Sequence, residues 1–294
     1  MIRPKQSLAR KLEPFFYLSP ALLFFLTFTY YPFLKTIVSS FFLVNRLGKF
    51  REFVAFENYI RILAAPEFIL SVKNTFVYMF LNAPVSIFIS LILAIIANRK
   101  TRSSKIYETL FALSMAMSMS VAAMIFRLAY NPTIGAFNYL LGTTINWLND
   151  PSWAMISISL IATWLNIGYN FLFLLAAVRG IDVSLIESAS LDGAGVVRKT
   201  IRIILPIISP TVFFLIVTQM AKSMMMSGLV LIFTNSASLS TTSNIDTMIS
   251  FMYKQAVNNL NYNDGYATAI MAFIMTFIIM LISFKFEKKG VYYN

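Results

Sequence analysis

The segment "ESASLDGAGVVRKTIRIILP", Glu187 to Pro206, is a charged, glycine-containing stretch between two long apolar runs. Its "GAGVVRKT" portion superficially resembles a phosphate-binding loop. Such a loop needs a second glycine directly before the Lys-Ser/Thr pair and a buried strand ahead of it. Arg198 occupies the position of that glycine, and a helix-length apolar run precedes the segment. The segment is therefore predicted to be a polar connection rather than a nucleotide site.

The composition is that of a membrane protein. The chain has 294 residues, of which 58% are hydrophobic and 12% charged, and its mean hydropathy is +0.73. Soluble domains average about 45–50% apolar and about 25% charged residues. Cysteine and histidine are both absent, which excludes disulfides, thiolate nucleophiles, Cys/His zinc sites and imidazole bases. We therefore expect no catalytic residue and no metal site in this chain.

Six apolar runs are long enough to span a bilayer, which takes about 20 residues of helix. They predict an all-α integral membrane protein with a single domain over residues 1–294. The predicted transmembrane helices are 15–43, 72–98, 106–130, 153–178, 206–233 and 265–286.

Lysine and arginine are distributed unevenly between the two sides of the predicted bundle. They concentrate in both tails and in the loops 99–105 and 179–202, whereas the opposite side has few. Because basic loops remain in the cytoplasm, both termini and the Glu187–Pro206 segment are predicted to be cytoplasmic. The net charge of +12 is then a topology signal, and nucleic-acid binding is not indicated.

The spacing of Glu187, Ala189, Gly193, Leu205 and Pro206 matches the cytoplasmic "EAA" loop of bacterial ABC importer permeases, with a serine in the second alanine position. The form "ESASLDGA" is similar to the carbohydrate-importer branch, which includes the maltose, glycerol-phosphate and multiple-sugar transporters. The stretches "FVAFENYIRILAAPEF" (53–68) and "NPTIGAFNYLL" (131–141) resemble segments of the same branch. The chain is thus identified as similar to binding-protein-dependent (type I) permeases.

This resemblance implies a coupling helix within the loop 183–205 that contacts a cytoplasmic ATPase. Glu187 would touch the ATPase, Ala189 would pack in its groove and Gly193 would supply a bend. The residues implied in coupling are Glu187, Ser188, Ala189, Asp192, Gly193, Ala194, Leu205 and Pro206.

The resemblance also implies a set of partners in the cytoplasmic membrane of a bacterium or archaeon. They are a second homologous permease, two ATPase subunits that bind ATP and magnesium, and an extracytoplasmic solute-binding protein. The binding protein would dock on loops 45–71 and 235–262. No cofactor is expected in this chain.

Polar residues in the fourth and fifth predicted helices are candidates for a substrate path, because polar groups within hydrocarbon usually face the bundle interior or a water-filled path. Each set lies at i, i+3 and i+4, hence on one helix face. Resemblance to the maltose transporter's larger membrane subunit supports Tyr169. Hydrogen bonding between helices is the alternative role. The candidates are Asn166, Tyr169, Asn170, Gln219, Lys222 and Ser223.

The predicted function is import of a mono- or oligosaccharide, driven by a separate ATPase. Lys222 and Arg127 leave open an anionic solute such as glycerol phosphate or a sugar acid, although either cation could instead pair with a partner subunit. A stand-alone secondary transporter or channel is the alternative of another class. It would be expected to carry intramembrane carboxylates, and no acid lies centrally in the predicted helices.

Overall fold

The computed structural model describes residues 8–98, 104–234 and 245–292. Parts of three predictions lie outside these residues: Arg3 and Lys5 of the N-terminal tail, the charges of 99–103, and the 235–244 portion of the docking loop. In chain order the elements are α1 (Leu8–Phe25), a π-helical turn (Leu26–Tyr30), α2 (Tyr31–Ser40), β1 (Phe42–Val44), β2 (Phe50–Phe53), α3 (Glu57–Leu63), α4 (Pro66–Ala97), α5 (Ser104–Ala116), α6 (Met119–Ala129), α7 (Ala136–Leu141), α8 (Pro151–Arg179), α9 (Val183–Leu191), α10 (Val196–Lys199), a π-helical turn (Thr200–Ile204), α11 (Leu205–Ile207), α12 (Ser209–Met224), α13 (Gly228–Thr234), α14 (Met248–Tyr253), a π-helical turn (Lys254–Asn258) and α15 (Tyr262–Gly290).

The predicted helical membrane architecture is confirmed, and five segments of the described chain are each long and apolar enough to cross a bilayer. They are Phe15–Ser40, Pro66–Ala97, Pro151–Arg179, Ser209–Thr234 and Tyr262–Glu287. The remaining predicted span, 106–130, is divided into α5 and α6, which are bent by 104° relative to each other.

The bend between α5 and α6 has a local cause in the sequence. Ser118 adopts an extended backbone conformation (φ −71°, ψ 147°), and its hydroxyl accepts a hydrogen bond from the Val121 amide at 3.3 Å. A serine in this position is an N-cap, which begins a new helix and satisfies one of its free amides. The run "SMAMSMS" is therefore two helix ends rather than the middle of one helix.

A β-hairpin follows the first span, which the sequence did not predict. β1 pairs with β2 antiparallel, and Gly48 in the connecting turn has a positive φ of 76°. Beyond the hairpin lies the seven-residue α3, whose Tyr59 and Ile62 are buried. Arg61 of α3 binds the Asp264 carboxylate of α15 at 2.6 Å. The hairpin and α3 together cap one end of the bundle.

The centre of the bundle is the pair α4 and α8. α5 packs on α8, α12 packs on α4, and α15 packs against α2 and α12. The first span differs from the others, because the most apolar part of Phe15–Ser40 has no residue buried within this chain. Within this chain it contacts the bundle through α2, whose Phe33 ring lies 4.9 Å from that of Phe273 in α15.

Candidate coupling loop and translocation path

The helix α9 occupies the loop in which the sequence predicts a coupling helix. Its N-cap is Asp182, whose carboxylate accepts a hydrogen bond from the Ser184 amide at 2.9 Å. That hydrogen bond lowers the pKa of Asp182 below its ordinary value. A charged cap also interacts favourably with the helix dipole, so α9 has a defined beginning at this residue.

The end of α9 explains why the motif contains a glycine. Gly193 lies in the left-handed region (φ 77°), its amide bonds to the Ser190 carbonyl at 3.1 Å, and the Ala194 amide bonds to the Ala189 carbonyl at 2.9 Å. These two bonds form a Schellman motif, whose left-handed residue is usually glycine. A Cβ at this position would meet nothing within 4 Å, so backbone conformation rather than space requires the glycine.

The loop that contains α9 and α10 exposes apolar side chains that its own chain does not cover. Leu191, at the end of α9, is 90% exposed, and Val197 of α10 is 72% exposed. Glu187 and Ser188 are exposed and Ala189 is half-buried. A solvent-facing element of this composition is typical of a docking surface.

The two ends of the loop are held together in the membrane. Ile181, before α9, and Ile204, after α10, are both buried in one apolar cluster with Val178 of α8. Leu205 and Pro206 follow within α11 and are half-buried. Because proline lacks an amide hydrogen, it interrupts the regular helix ladder, and a π-helical turn precedes it here. The loop that contains α9 is therefore anchored to α8 at one end and leads through α11 into α12 at the other.

Buried amides and hydroxyls connect α4, α8 and α12 within the bundle. Gln219 donates to Asn170 at 2.7 Å, and Asn170 donates to Ser86 at 3.1 Å. Asn82 donates to Ser223 at 3.0 Å. All five side chains are buried, so these contacts satisfy polar groups that hydrocarbon cannot. We call this set the polar ladder.

The α4 residues of the polar ladder, Asn82 and Ser86, were not predicted from the sequence. They belong to a stripe of residues at four-residue spacing, which places the whole stripe on one helix face. All of these residues are buried: Asn74, Tyr78, Asn82, Ser86 and Ser90.

Four of the six candidate path residues, Asn166, Asn170, Gln219 and Ser223, thus have polar groups that bond between helices. Tyr169 and Lys222 reach more open surfaces. Asn166 is half-buried and donates to Asn82 at 3.3 Å. Lys222 is exposed at the bundle surface, with its ammonium 4.1 Å from the centre of the half-buried Tyr169 ring. The Tyr169 ring packs in turn on Phe173, at 4.8 Å between ring centres.

The Lys222–Tyr169 pair can bind a solute that is both hydroxylated and negatively charged. A cation over an aromatic face is attracted to the ring but keeps its hydrogen-bond donors available. An ammonium near the bilayer centre costs about 2.5–3.5 kcal/mol on insertion scales. Such a group is retained where it lines a polar path or meets a partner.

These apolar spans, the capped loop helix α9 and the polar ladder define a multi-span membrane transport subunit. Residues 86–287 match the family model described as "Binding-protein-dependent transport system inner membrane component". The chain belongs to this family.

Relatives and solved structures agree with this assignment over almost the whole chain. The chain is 31% identical to the sn-glycerol-3-phosphate transport system permease protein UgpA of Brucella abortus over 294 residues, covering 99% of each. It is 31% identical to the UgpA protein of Pectobacterium atrosepticum, covering 96% of each. A bacterial alginate ABC transporter, solved with an alginate pentasaccharide-bound periplasmic protein, has the same fold with a TM-score of 0.83 at 21% identity, covering 97% of this chain and 98% of that chain.

Several predictions are thereby confirmed. The chain is a non-enzymatic permease of an ABC importer, it is a multi-pass inner-membrane protein, and its family works with a solute-binding protein and an ATPase. The roles of the individual coupling and path residues stay predictions.

Proposed function

We propose that this permease imports a hydroxyl-rich solute bearing a negative charge, such as a glycerol phosphate, a sugar acid or an acidic oligosaccharide. The observation that carries the proposal is the exposed Lys222 ammonium over the Tyr169 ring. The glycerol-phosphate permeases and the alginate transporter to which this chain is similar, all of which concern anionic solutes, support the same chemistry. A neutral mono- or oligosaccharide is the alternative, with Lys222 packed against a partner subunit.

Uptake by the purified importer, reconstituted in proteoliposomes with its binding protein, tests the solute. The probes are glycerol 3-phosphate, an alginate oligosaccharide and maltose. A hydrogen bond to a charged group contributes about 1.5–3 kcal/mol, so Lys222→Gln should lower anion uptake about tenfold or more, while Lys222→Arg should retain it. Thr218→Val is the matched control on the same helix, because its hydroxyl already bonds to the Phe214 carbonyl at 2.8 Å. Uptake of maltose that is unaffected by Lys222→Gln would favour the neutral alternative.

The coupling role is assigned to α9 and the segment that follows it. In this proposal Glu187 binds the ATPase, Ala189 packs in its groove, and the exposed Leu191 and Val197 complete the contact. Two ATPase subunits supply ATP and magnesium, and a second homologous permease covers the exposed first span. Both termini lie in the cytoplasm, and the binding protein docks on the hairpin side.

Affinity purification from native membranes tests this assembly. An ATPase and a second permease should co-elute with wild type, and Glu187→Ala or Gly193→Pro should lose the ATPase but keep the permease. Glu57→Ala, on the opposite end of the bundle in α3, is the control and should keep both. Wild type that elutes alone, or only with copies of itself, would favour a self-sufficient transporter or channel.

A further inference from the structure

The helices α5 and α8 meet along a seam with three different contacts. The α5 residues are spaced three apart, so they lie on nearly the same face of the helix. The seam pairs Glu108 with Arg179, Phe111 with Phe171, and Ser114 with Gly168.

The cytoplasmic end of the seam is a two-pronged ion pair. The Arg179 Nη2 atom lies 2.5 Å from Glu108 Oε1, and Arg179 Nη1 lies 3.2 Å from Glu108 Oε2. The side chains are 46% and 25% exposed, respectively. A guanidinium that binds both carboxylate oxygens fixes the orientation of its partner as well as the distance, which a lysine cannot do.

The other two contacts leave little room for the helices to slide. The Phe111 and Phe171 rings meet edge to face at 5.4 Å between centres. The Gly168 amide donates to the Ser114 hydroxyl at 3.0 Å, and a Cβ at Gly168 would lie 2.9 Å from the Met115 backbone nitrogen. Because packed interiors do not deform continuously, α5 and the cytoplasmic half of α8 are expected to move together.

The seam connects the two elements on either side of it. Arg179 is the last residue of α8, and Asp182, the cap of the coupling helix, follows three residues later. At its other end α5 leads through the 104° bend into α6. There Met119 lies so close to Gly228 of α13 that a Cβ on the glycine would be 2.5 Å from its sulfur.

We infer that the Arg179–Glu108 pair is a positioning contact that makes α5 follow the coupling helix, so that movement of the ATPase reaches the bent α5–α6 span. This inference rests on the proposed coupling role of α9. It assigns a transport role to two residues that belong neither to the proposed coupling set nor to the proposed solute site.

The test is the number of solute molecules imported per ATP hydrolysed by the reconstituted importer. Exposed ion pairs contribute up to about 1 kcal/mol, so Glu108→Gln and Arg179→Lys should each lower this ratio about two- to fivefold while the ATPase still co-purifies and hydrolyses ATP. The charge-swapped double variant Glu108→Arg with Arg179→Glu should recover most of the loss. The matched control is Thr109→Val, next to Glu108 on α5, because its exposed hydroxyl bonds within the same helix to the Lys105 carbonyl at 2.9 Å.

Three results would overturn the inference: an unchanged ratio in the single variants, no recovery in the charge swap, or an equal loss in the Thr109→Val control. Failure of the coupling-loop proposal looks different, because then Glu187→Ala retains the ATPase or wild type never binds one. The ratio is therefore interpreted only after wild type and Glu187→Ala have been compared for ATPase retention.

Discussion

Replacing Gly193 by serine should weaken ATPase binding, and the structure gives the size of the effect. Gly193 has a φ of 77° and open space where a Cβ would be, so the cost comes from the backbone alone. A side chain in the left-handed region costs about 1–2 kcal/mol, which corresponds to an ATPase dissociation constant about 5- to 30-fold higher. Gly193→Asn should have a smaller effect, since asparagine tolerates this conformation better.

Gly195 provides a matched control two residues away. It also has nothing within 4 Å of a Cβ, but its φ is −69°, which any residue adopts, and it is the N-cap of α10. Serine is a preferred N-cap, so Gly195→Ser should leave the dissociation constant unchanged. The measurement is titration of the ATPase onto the immobilised permease pair. Equal binding by both serine variants would refute the argument that the Schellman turn sets the docking geometry of α9.

Three further outcomes follow from individual contacts. Gly168→Ala should lower the melting temperature of the purified protein by the equivalent of about 1–3 kcal/mol, because its Cβ would lie 2.6 Å from the Ser114 hydroxyl of α5. Gly180→Ala should not, because its Cβ would lie 3.4 Å from the nearest atom, the Ala177 carbonyl oxygen. Asn170→Ala should cost about 1–3 kcal/mol in the same melt, since it removes the acceptor of the buried Gln219 amide. Because the pKa of Asp182 is lowered, its carboxylate stabilises the start of α9 above the ordinary aspartate pKa of 3.8, and this stabilisation is lost as the pH falls through the folded-state pKa. The check is amide exchange: the first turn of α9 should lose protection, relative to the intrinsic exchange rate at each pH, as the pH falls. Asp182→Asn should not show this pH-dependent loss.

The sequence predicted the helical membrane fold because apolar run length directly reflects the thickness of the bilayer. The predicted helix ends were less accurate where the apolar run and the capping residues place the end of a helix at different positions. α4 begins at Pro66 rather than at 72, because proline favours the first helical turn even when the neighbouring residues are polar. The bend at Ser118 was not predicted, since serine is equally compatible with a helix interior in a membrane and with a cap.

The hairpin and the α4 stripe were missed for a different reason. Strand pairing in 42–53 depends on which residues the turn at Gly48 brings together, and a linear pattern does not show that pairing. Asn82 and Ser86 are spaced by four and carry the expected helical signal, but their partners on α8 and α12 lie 81 to 141 residues further along the chain. The spacing of polar residues along one helix indicates that a face is buried, but it does not indicate which other helix packs against that face.

The α12 residues that pack this helix into the bundle are different from the α12 residue that is proposed to select the solute. Gln219 and Ser223 are four apart and share the buried face that joins the polar ladder. Lys222 immediately precedes Ser223, and a step of one residue turns an α-helix by about 100°, so its side chain leaves that face and lies over Tyr169. A change at Lys222 therefore leaves the ladder intact. A permease built in this way can change the charge of the solute it accepts without changing the packing of its helices. The Lys222→Gln and Asn170→Ala variants should therefore have different effects. Lys222→Gln should lose anion uptake with an unchanged melting temperature, whereas Asn170→Ala should lower the melting temperature.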